Sequence, residues 1–369
     1  MDQARTKRHN PVEVLRIIAM LMIILGHFMG HGNGAELALG ANKPAAETIR
    51  VLVQAATNIY VLIGSYYMIN SGLKLSRLFL LWAQVAFFSV ACYLVCVGAG
   101  WEKLSMTAAL KAVLPLSGNQ YWFATTYFGL CLLAPFVSRG LKALSKSAYQ
   151  VLLGILLAVF VLWKTVLPFA ETLNPAGGNS ILWFLTLFVI AGYIRLHAPK
   201  RPGRVYAVGA LISAGVLVLG YFAIQKVSLM VGLDGKGTWI ASNFDSVPVT
   251  ALSVCVFLLF LRQPDKASPA LRCLTGFFAS STFSVYLIHE NPFLRKQLWT
   301  VMPRIYTSFA AGWCYIPMLL GLSLGILLIC TLADKVTWQL LRKLLNKLKF
   351  SKAQAWLDAH MNSAVSSGV

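Results

Sequence analysis

The sequence predicts an all-α polytopic membrane protein, a bundle of about ten transmembrane helices with both termini cytoplasmic. Three observations predict it. Hydrophobic residues make up 58% of the 369, charged residues only 12%, and the mean hydropathy is +0.69. A soluble domain carries about a quarter charged residues, so this chain cannot coat a water-facing globule. Apolar stretches also follow one another from Leu15 to Leu332 with only short polar breaks. Finally, the net charge of +20 is spread in short Lys and Arg clusters between those stretches. No basic patch sits on a soluble module, so the charge reads as positive-inside topology, and nucleic acid is excluded as a partner.

The helices run at about 14–32, 50–70, 78–98, 121–138, 148–168, 180–196, 205–225, 243–261, 274–293 and 310–332. The first outlasts a signal h-region and ends in GHFMGHG with no small-x-small cleavage site, so it reads as a retained helix. With the N-terminus inside, 22 of the 32 basic residues fall on inner flanks, from Arg5, Lys7, Arg8 and Arg16 to the group around Arg342 and Lys343. That asymmetry supports the count and the orientation together. NPAGGNS at 174–180 and GLDGKG at 232–237 read as outer turns. The membrane domain is expected over 1–335. Residues 336–369 form a basic tail, in which WQLLRKLLNKLKF has the pattern of an amphipathic helix on the inner membrane surface. The seven cysteines lie in or beside apolar segments without the close pairing of a zinc site, so they read as core residues and no metal site is expected. No internal repeat is apparent.

Ionisable residues are expensive in a bilayer, so each one inside an apolar run is a site candidate. Glu13-Val-Leu-Arg16 opens the first helix, and His27 follows eleven residues later. Helical rise places His27 about 16 Å beyond Arg16, and eleven steps bring both to nearly the same face. A cation at the cytoplasmic mouth and a deeper imidazole suit an anionic cofactor that delivers a reactive group inward. Spacing alone leaves open that Arg16 only sets topology and that His27 is a satisfied interior residue. His289, in FSVYLIHENP, is a second candidate at comparable depth or nearer the outer face, with Glu290, Asn291 and Pro292 ending its helix. Arg77 opens the third helix, where it either joins Arg16 in binding phosphate or serves as a flanking charge. His31 and His9 are weaker candidates, and His197 and His360 are given no role. Trp122, Tyr127 and Trp183 sit where an aromatic belt is expected, and Gly64 and Ser65 in NIYVLIGSYYM permit close helix approach.

Together these residues resemble the membrane-bound acyltransferase family 3, in particular bacterial surface polysaccharide O-acyltransferases. The first helix carries E-x-L-R-x-x-A, and Arg16-x10-His27 matches the family's arginine–histidine motif. NIYVLIGSYYM resembles its second-helix phrase, with Gly64-Ser65-Tyr66 where Ser-Gly-Tyr is usual; YWFATTYFGLCLLAP and VYLIHENP follow in the right order. The resemblance implies ten helices with both termini inside, in a bacterial plasma membrane. It implies transfer of an acyl group, usually acetyl, from cytoplasmic acyl-coenzyme A (acetyl-CoA) to a glycan hydroxyl of a surface polysaccharide or lipid-linked sugar, with no permanently bound cofactor. His27 would be the catalytic histidine, acting as general base or as acyl carrier, and Arg16 its partner, binding coenzyme A phosphate or orienting the site. Arg77 would assist donor binding and His289 acceptor-side chemistry. The alternative is a transporter or flippase for a glycan or small solute. That reading calls for carboxylates deep in the helices, whereas the twelve acidic residues lie almost entirely in flanks and loops.

Overall fold

The computed structural model describes residues 9–72, 75–118, 120–167, 175–232 and 239–347. Most of GLDGKG and the tail beyond Lys347 lie outside these residues. Among the described residues every regular element is helical. Each of the ten expected segments holds a helix. In chain order they are α1 (Asn10–Met29), α2 (Asn42–Met68, interrupted at Val53–Gln54), α3 (Leu75–Gly98), α4 (Trp122–Ala143), α5 (Lys146–Val166), α6 (Ile181–Leu196), α7 (Gly203–Met230), α8 (Val247–Leu261), α9 (Pro269–His289), and, after an additional helix α10 (Pro292–Tyr306), α11 (Tyr315–Val336). Helix α12 (Trp338–Lys347) closes the described chain. Seven of the spans are long and apolar enough to cross a membrane: α1, α2, α3, α5, α7, α9 and the run from Tyr315 to Leu344. Helices α6 and α8 are apolar but shorter. The chain is therefore an all-α, multi-pass bundle.

Short helices at Gly34–Leu37, Met106–Val113 and Trp239–Ser242 fall between the expected segments, and two further departures bear on the site. Helix α9 is not continuous: its regular structure breaks at Ser280–Ser281 and resumes at Thr282. Helix α10 falls where a loop was expected, because Arg295, Lys296 and Arg304 interrupt its apolar pattern. Local chemistry sets its start. The Asn291 side chain accepts from the backbone N–H groups of Phe293 (3.0 Å) and Leu294 (3.3 Å), and Pro292 occupies the first turn, where its missing N–H is not needed. The same device, a serine cap, opens α5 at Ser145, α6 at Ser180 and α9 at Ser268.

Helix α1 is the axis of the bundle, packed against α2, α8, α9 and α11. Polar contacts fix both of its ends. At its N-terminal end the Asn10 N–H donates to Asp265 at 3.2 Å, and the Thr275 hydroxyl donates to the Asn10 side-chain oxygen at 2.5 Å. The Arg272 guanidinium grips Asp265 through two bonds of 2.9 and 2.7 Å, and this holds the Asp265 carboxyl down at about 2. Just past its C-terminal end, Tyr306 donates to the Gly32 carbonyl and Tyr315 to the Gly34 carbonyl, the latter at 2.6 Å. A helix held this way is a rigid rail for the residues along it.

Side-chain placement corrects three expectations. Trp183 is no belt residue: it is fully buried, and its indole N–H donates to Asn58 at 2.9 Å. Cys92, Cys96 and Cys330 are buried, but Cys273 is exposed rather than core. Acidic residues near helix ends are not all solvated, since Glu13, Glu47, Asp245, Glu290 and Asp334 are buried. A helix end in a thick bundle can lie under a neighbouring element, so position in the sequence does not report exposure.

Candidate active site

His27 projects from the last turn of α1 to meet the end of α9. Its Nδ1 lies 3.0 Å from His289 Nε2 and 3.4 Å from Glu290 Oε1. The two histidines that stand 262 residues apart in sequence are thus brought into direct contact. His289 has its other ring nitrogen, Nδ1, 2.6 Å from the Val285 carbonyl. A carbonyl only accepts, so His289 Nδ1 carries its proton and, in the neutral ring, Nε2 offers a lone pair. His27 Nδ1 must then be the donor in the histidine pair. Neutral His27 is left with Nε2 unprotonated: the basic, nucleophilic nitrogen of the ring.

Glu290 gathers the surrounding donors. Besides His27, His31 Nε2 lies 3.6 Å from its carboxylate, and Arg295 Nη1 and Trp299 Nε1 each lie at 3.4 Å. The Glu290 carboxylate lies where it can stabilise positive charge on His27. The His31 ring stacks on His27 with centroids 5.3 Å apart, and Trp299 closes the edge of the pair. The segment linking these groups is held from both sides. Asn291 Nδ2 donates to the Tyr121 hydroxyl at 2.6 Å, and that hydroxyl donates to the Leu287 carbonyl at 3.0 Å. His27, His31 and Glu290 offer ligand atoms within 4.8 Å of one another, the donor set of a first-row metal. Arg295 competes with any cation for the same carboxylate.

His27 lines a cavity of about 240 Å³ whose walls are largely aromatic: Trp122, Phe123, Phe244, Phe283 and Tyr286, with Tyr60, Thr57 and Asn179 as polar edges. Two further cavities lead away from it. Arg16 lines one of about 240 Å³, which shares Tyr60 and Phe283 with the His27 cavity. Arg77 lines one of about 260 Å³, which shares Leu81 and Tyr127 with the Arg16 cavity. The three therefore form a series along the bundle: Arg77 at one end, Arg16 in the middle, His27 at the other. Trp122 and Tyr127, expected in an interfacial belt, instead wall this series. Gly64 of α2 makes room for it, because a Cβ there would lie 2.6 Å from the Tyr127 hydroxyl.

Sequence reasoning placed Arg16, Arg77, His27 and His289, and the structure sets all four along or against one series of cavities. It assigned no role to Glu290, although a carboxylate directly after His289 at a helix end stopped by Asn-Pro was a visible signal. Arg295 and Trp299 had no such signal, because they sit on the unexpected helix α10.

Fold and site define a class, an integral membrane protein with a histidine–carboxylate cluster beside a series of internal cavities. The family model for acyltransferase 3, described as an acyltransferase domain, matches residues 10–335, most of the chain. The chain belongs to that family and is a membrane acyltransferase. No curated protein and no solved structure matches it.

Proposed function

We propose that the protein transfers an acyl group, most simply acetyl, from cytoplasmic acyl-coenzyme A to a hydroxyl of a surface polysaccharide or lipid-linked sugar, in a bacterial plasma membrane. The observation that carries this reading is the series of cavities that runs from Arg77 at one end, by Arg16 in the middle, to His27 at the other. A donor whose phosphates pair with Arg77 and Arg16 must reach inward by about 16 Å, the rise of the helix between Arg16 and His27. Coenzyme A has a long flexible arm ending in a thioester, and arginine is the preferred partner of its phosphates. The orientation follows from the excess of basic residues at one set of helix ends, which favours a cytoplasmic N-terminus and both termini inside.

In this reading the acceptor enters the aromatic cavity from the side of Asn179 and Phe244, where flat ring faces suit a sugar. His27 Nε2 removes the hydroxyl proton as the oxygen attacks the thioester carbonyl. The carbon–sulfur bond breaks and the departing thiolate takes the proton from the imidazolium. Glu290 stabilises that imidazolium, as an ionised group fixed in place before the charge develops. His289 then acts as a positioning residue, holding His27 in the tautomer that leaves Nε2 free, rather than as an acceptor-side acid or base.

The test mixes protein purified into lipid nanodiscs with labelled acetyl-coenzyme A and a surface-polysaccharide extract. Label transfer by wild type that is lost in His27→Ala is the expected result. Transfer that survives His27→Ala overturns the catalytic assignment, and failure of wild type with any acyl-coenzyme A overturns the donor reading.

A further inference from the structure

The wall of the Arg16 cavity contains one neutral polar side chain whose orientation is set by a chain of hydrogen bonds from the far side of the bundle. Asp334 of α11 is fully buried. As a carboxylate it only accepts, and it has two donors: Ser284 Oγ at 2.5 Å and Gln339 Nε2 of α12 at 2.6 Å. Ser284 has a single hydroxyl proton, and Asp334 takes it. Its oxygen can then only accept from its next neighbour, Gln84 Nε2, at 2.7 Å. The direction of every bond is thereby fixed, from Gln84 to Ser284 to Asp334, with Gln339 completing the carboxylate. Gln84 cannot turn over without setting its carbonyl oxygen against the Ser284 oxygen, two acceptors in contact. One of its two amide hydrogens is committed to Ser284, which fixes the opposite side of the amide, and its carbonyl oxygen is left to accept from a ligand in the cavity.

Tyr60 repeats the logic on the same cavity. Its hydroxyl lies 3.0 Å from Thr282 Oγ1, which donates to the Ala279 carbonyl at 3.1 Å. Tyr60 is therefore the donor to Thr282, and its oxygen too presents lone pairs alone. Beside the Arg16 cation, this narrow space offers two oriented acceptors. A ligand matched to them brings N–H donors at mid-length, between an anionic end and a reactive end. Pure hydrocarbon would leave the acceptors unsatisfied, and a polyphosphate would be repelled by them.

We infer that the Gln84 carbonyl is the acceptor for a secondary-amide N–H in the arm of the acyl donor, making the Arg16 cavity the subsite for that arm. This inference rests on the donor reading above. Asp334, Ser284 and Gln339 are its positioning residues, and through Gln339 the inner-surface helix α12 belongs to the donor site.

The test compares three donors: acetyl-coenzyme A, and two analogues in which an ester oxygen replaces one or the other amide N–H of the pantetheine arm. Each is assayed for transfer and for retention in nanodiscs, with wild type, Gln84→Met and Ser284→Ala. In wild type, one analogue raises KM about tenfold, the loss of one hydrogen bond in a dry site, with kcat little changed. Gln84→Met raises KM for acetyl-coenzyme A by a similar factor and no longer distinguishes that analogue from the parent. Ser284→Ala, which frees Gln84 to turn, falls between the two. A difference between donors on one variant cannot come from misfolding. Unchanged KM in Gln84→Met, or an equal loss with all three donors, overturns the inference and leaves the donor reading standing. Failure of wild type to retain or use acetyl-coenzyme A overturns both.

Discussion

Helices α1 and α7 are both long, apolar and able to span a membrane, yet they live in different surroundings. Half of the spanning part of α1 is buried within the protein, against 11% of that of α7. Helix α1 is walled by α2, α8, α9 and α11, whereas α7 rests chiefly on α8 and leaves Leu211 and Leu219 facing outward. Hydropathy does not separate them, since lipid tails and a helical core are equally apolar solvents for a leucine. Ionisable side chains do. Between Arg204 and Lys226, α7 carries no charged residue or histidine, while α1 carries Arg16 and His27 at a spacing that keeps them on one side. In a bilayer, where a helix sits is written in its few polar residues rather than in its many greasy ones.

The sharpest way to break this contrast is His27→Ala. Removing a general base costs about 10²- to 10⁴-fold in rate, read as label transfer; a loss under tenfold would return α1 to the same standing as α7. Glu290→Gln should cost about ten- to a hundredfold in kcat with KM little changed, because it removes a charge that acts only when His27 is protonated. Arg16→Gln should act mainly on donor KM, by about tenfold, and titration with acetyl-coenzyme A separates it from the first two. Asp265→Asn tests the anchoring of α1 rather than its chemistry. The Asp265 pKa is lowered from 3.8 to about 2 in the folded protein, so its contribution is present above about pH 4 and fades as pH falls towards 2. Thermal melts of wild type and Asp265→Asn should differ at pH 7 and converge at acidic pH; a constant gap would show that the Arg272 pair is not its source. Smallest of all, Leu211→Ala or Leu219→Ala on α7 should leave transfer unchanged and stability within about 0.5 kcal/mol.

The same contrast explains which parts of the molecule were legible in the sequence. Ten apolar segments announced their helices because spanning a bilayer demands length and hydrophobicity and little else. Arg16 and His27 stood out because their setting penalises them. Helix α10 was invisible because its three basic residues break the apolar run, and with it went Arg295 and Trp299, half of the setting of Glu290. The interruption of α9 at Ser280–Ser281 has no hydropathy signature. Asp334 looked like a flanking charge, yet it is buried because α12 folds back over it, with Trp338 packed against Phe87. Contacts between distant segments decided each of these, and a one-dimensional pattern carries no record of them.

Gly64 has a consequence out of proportion to its size. The passage between Arg77 and Arg16 runs past the Tyr127 ring, and that ring holds its place only because α2 has no side chain opposite its hydroxyl. The calibre of the passage is thus set by an atom that is not there. One methyl group at position 64 would force the phenol to shift, and in the proposed reading it would disturb the path of the donor with the histidine, the carboxylate and both arginines untouched. A mutational scan would score that glycine alongside His27 and Arg16, though it brings no side chain to the cavity and moves no proton.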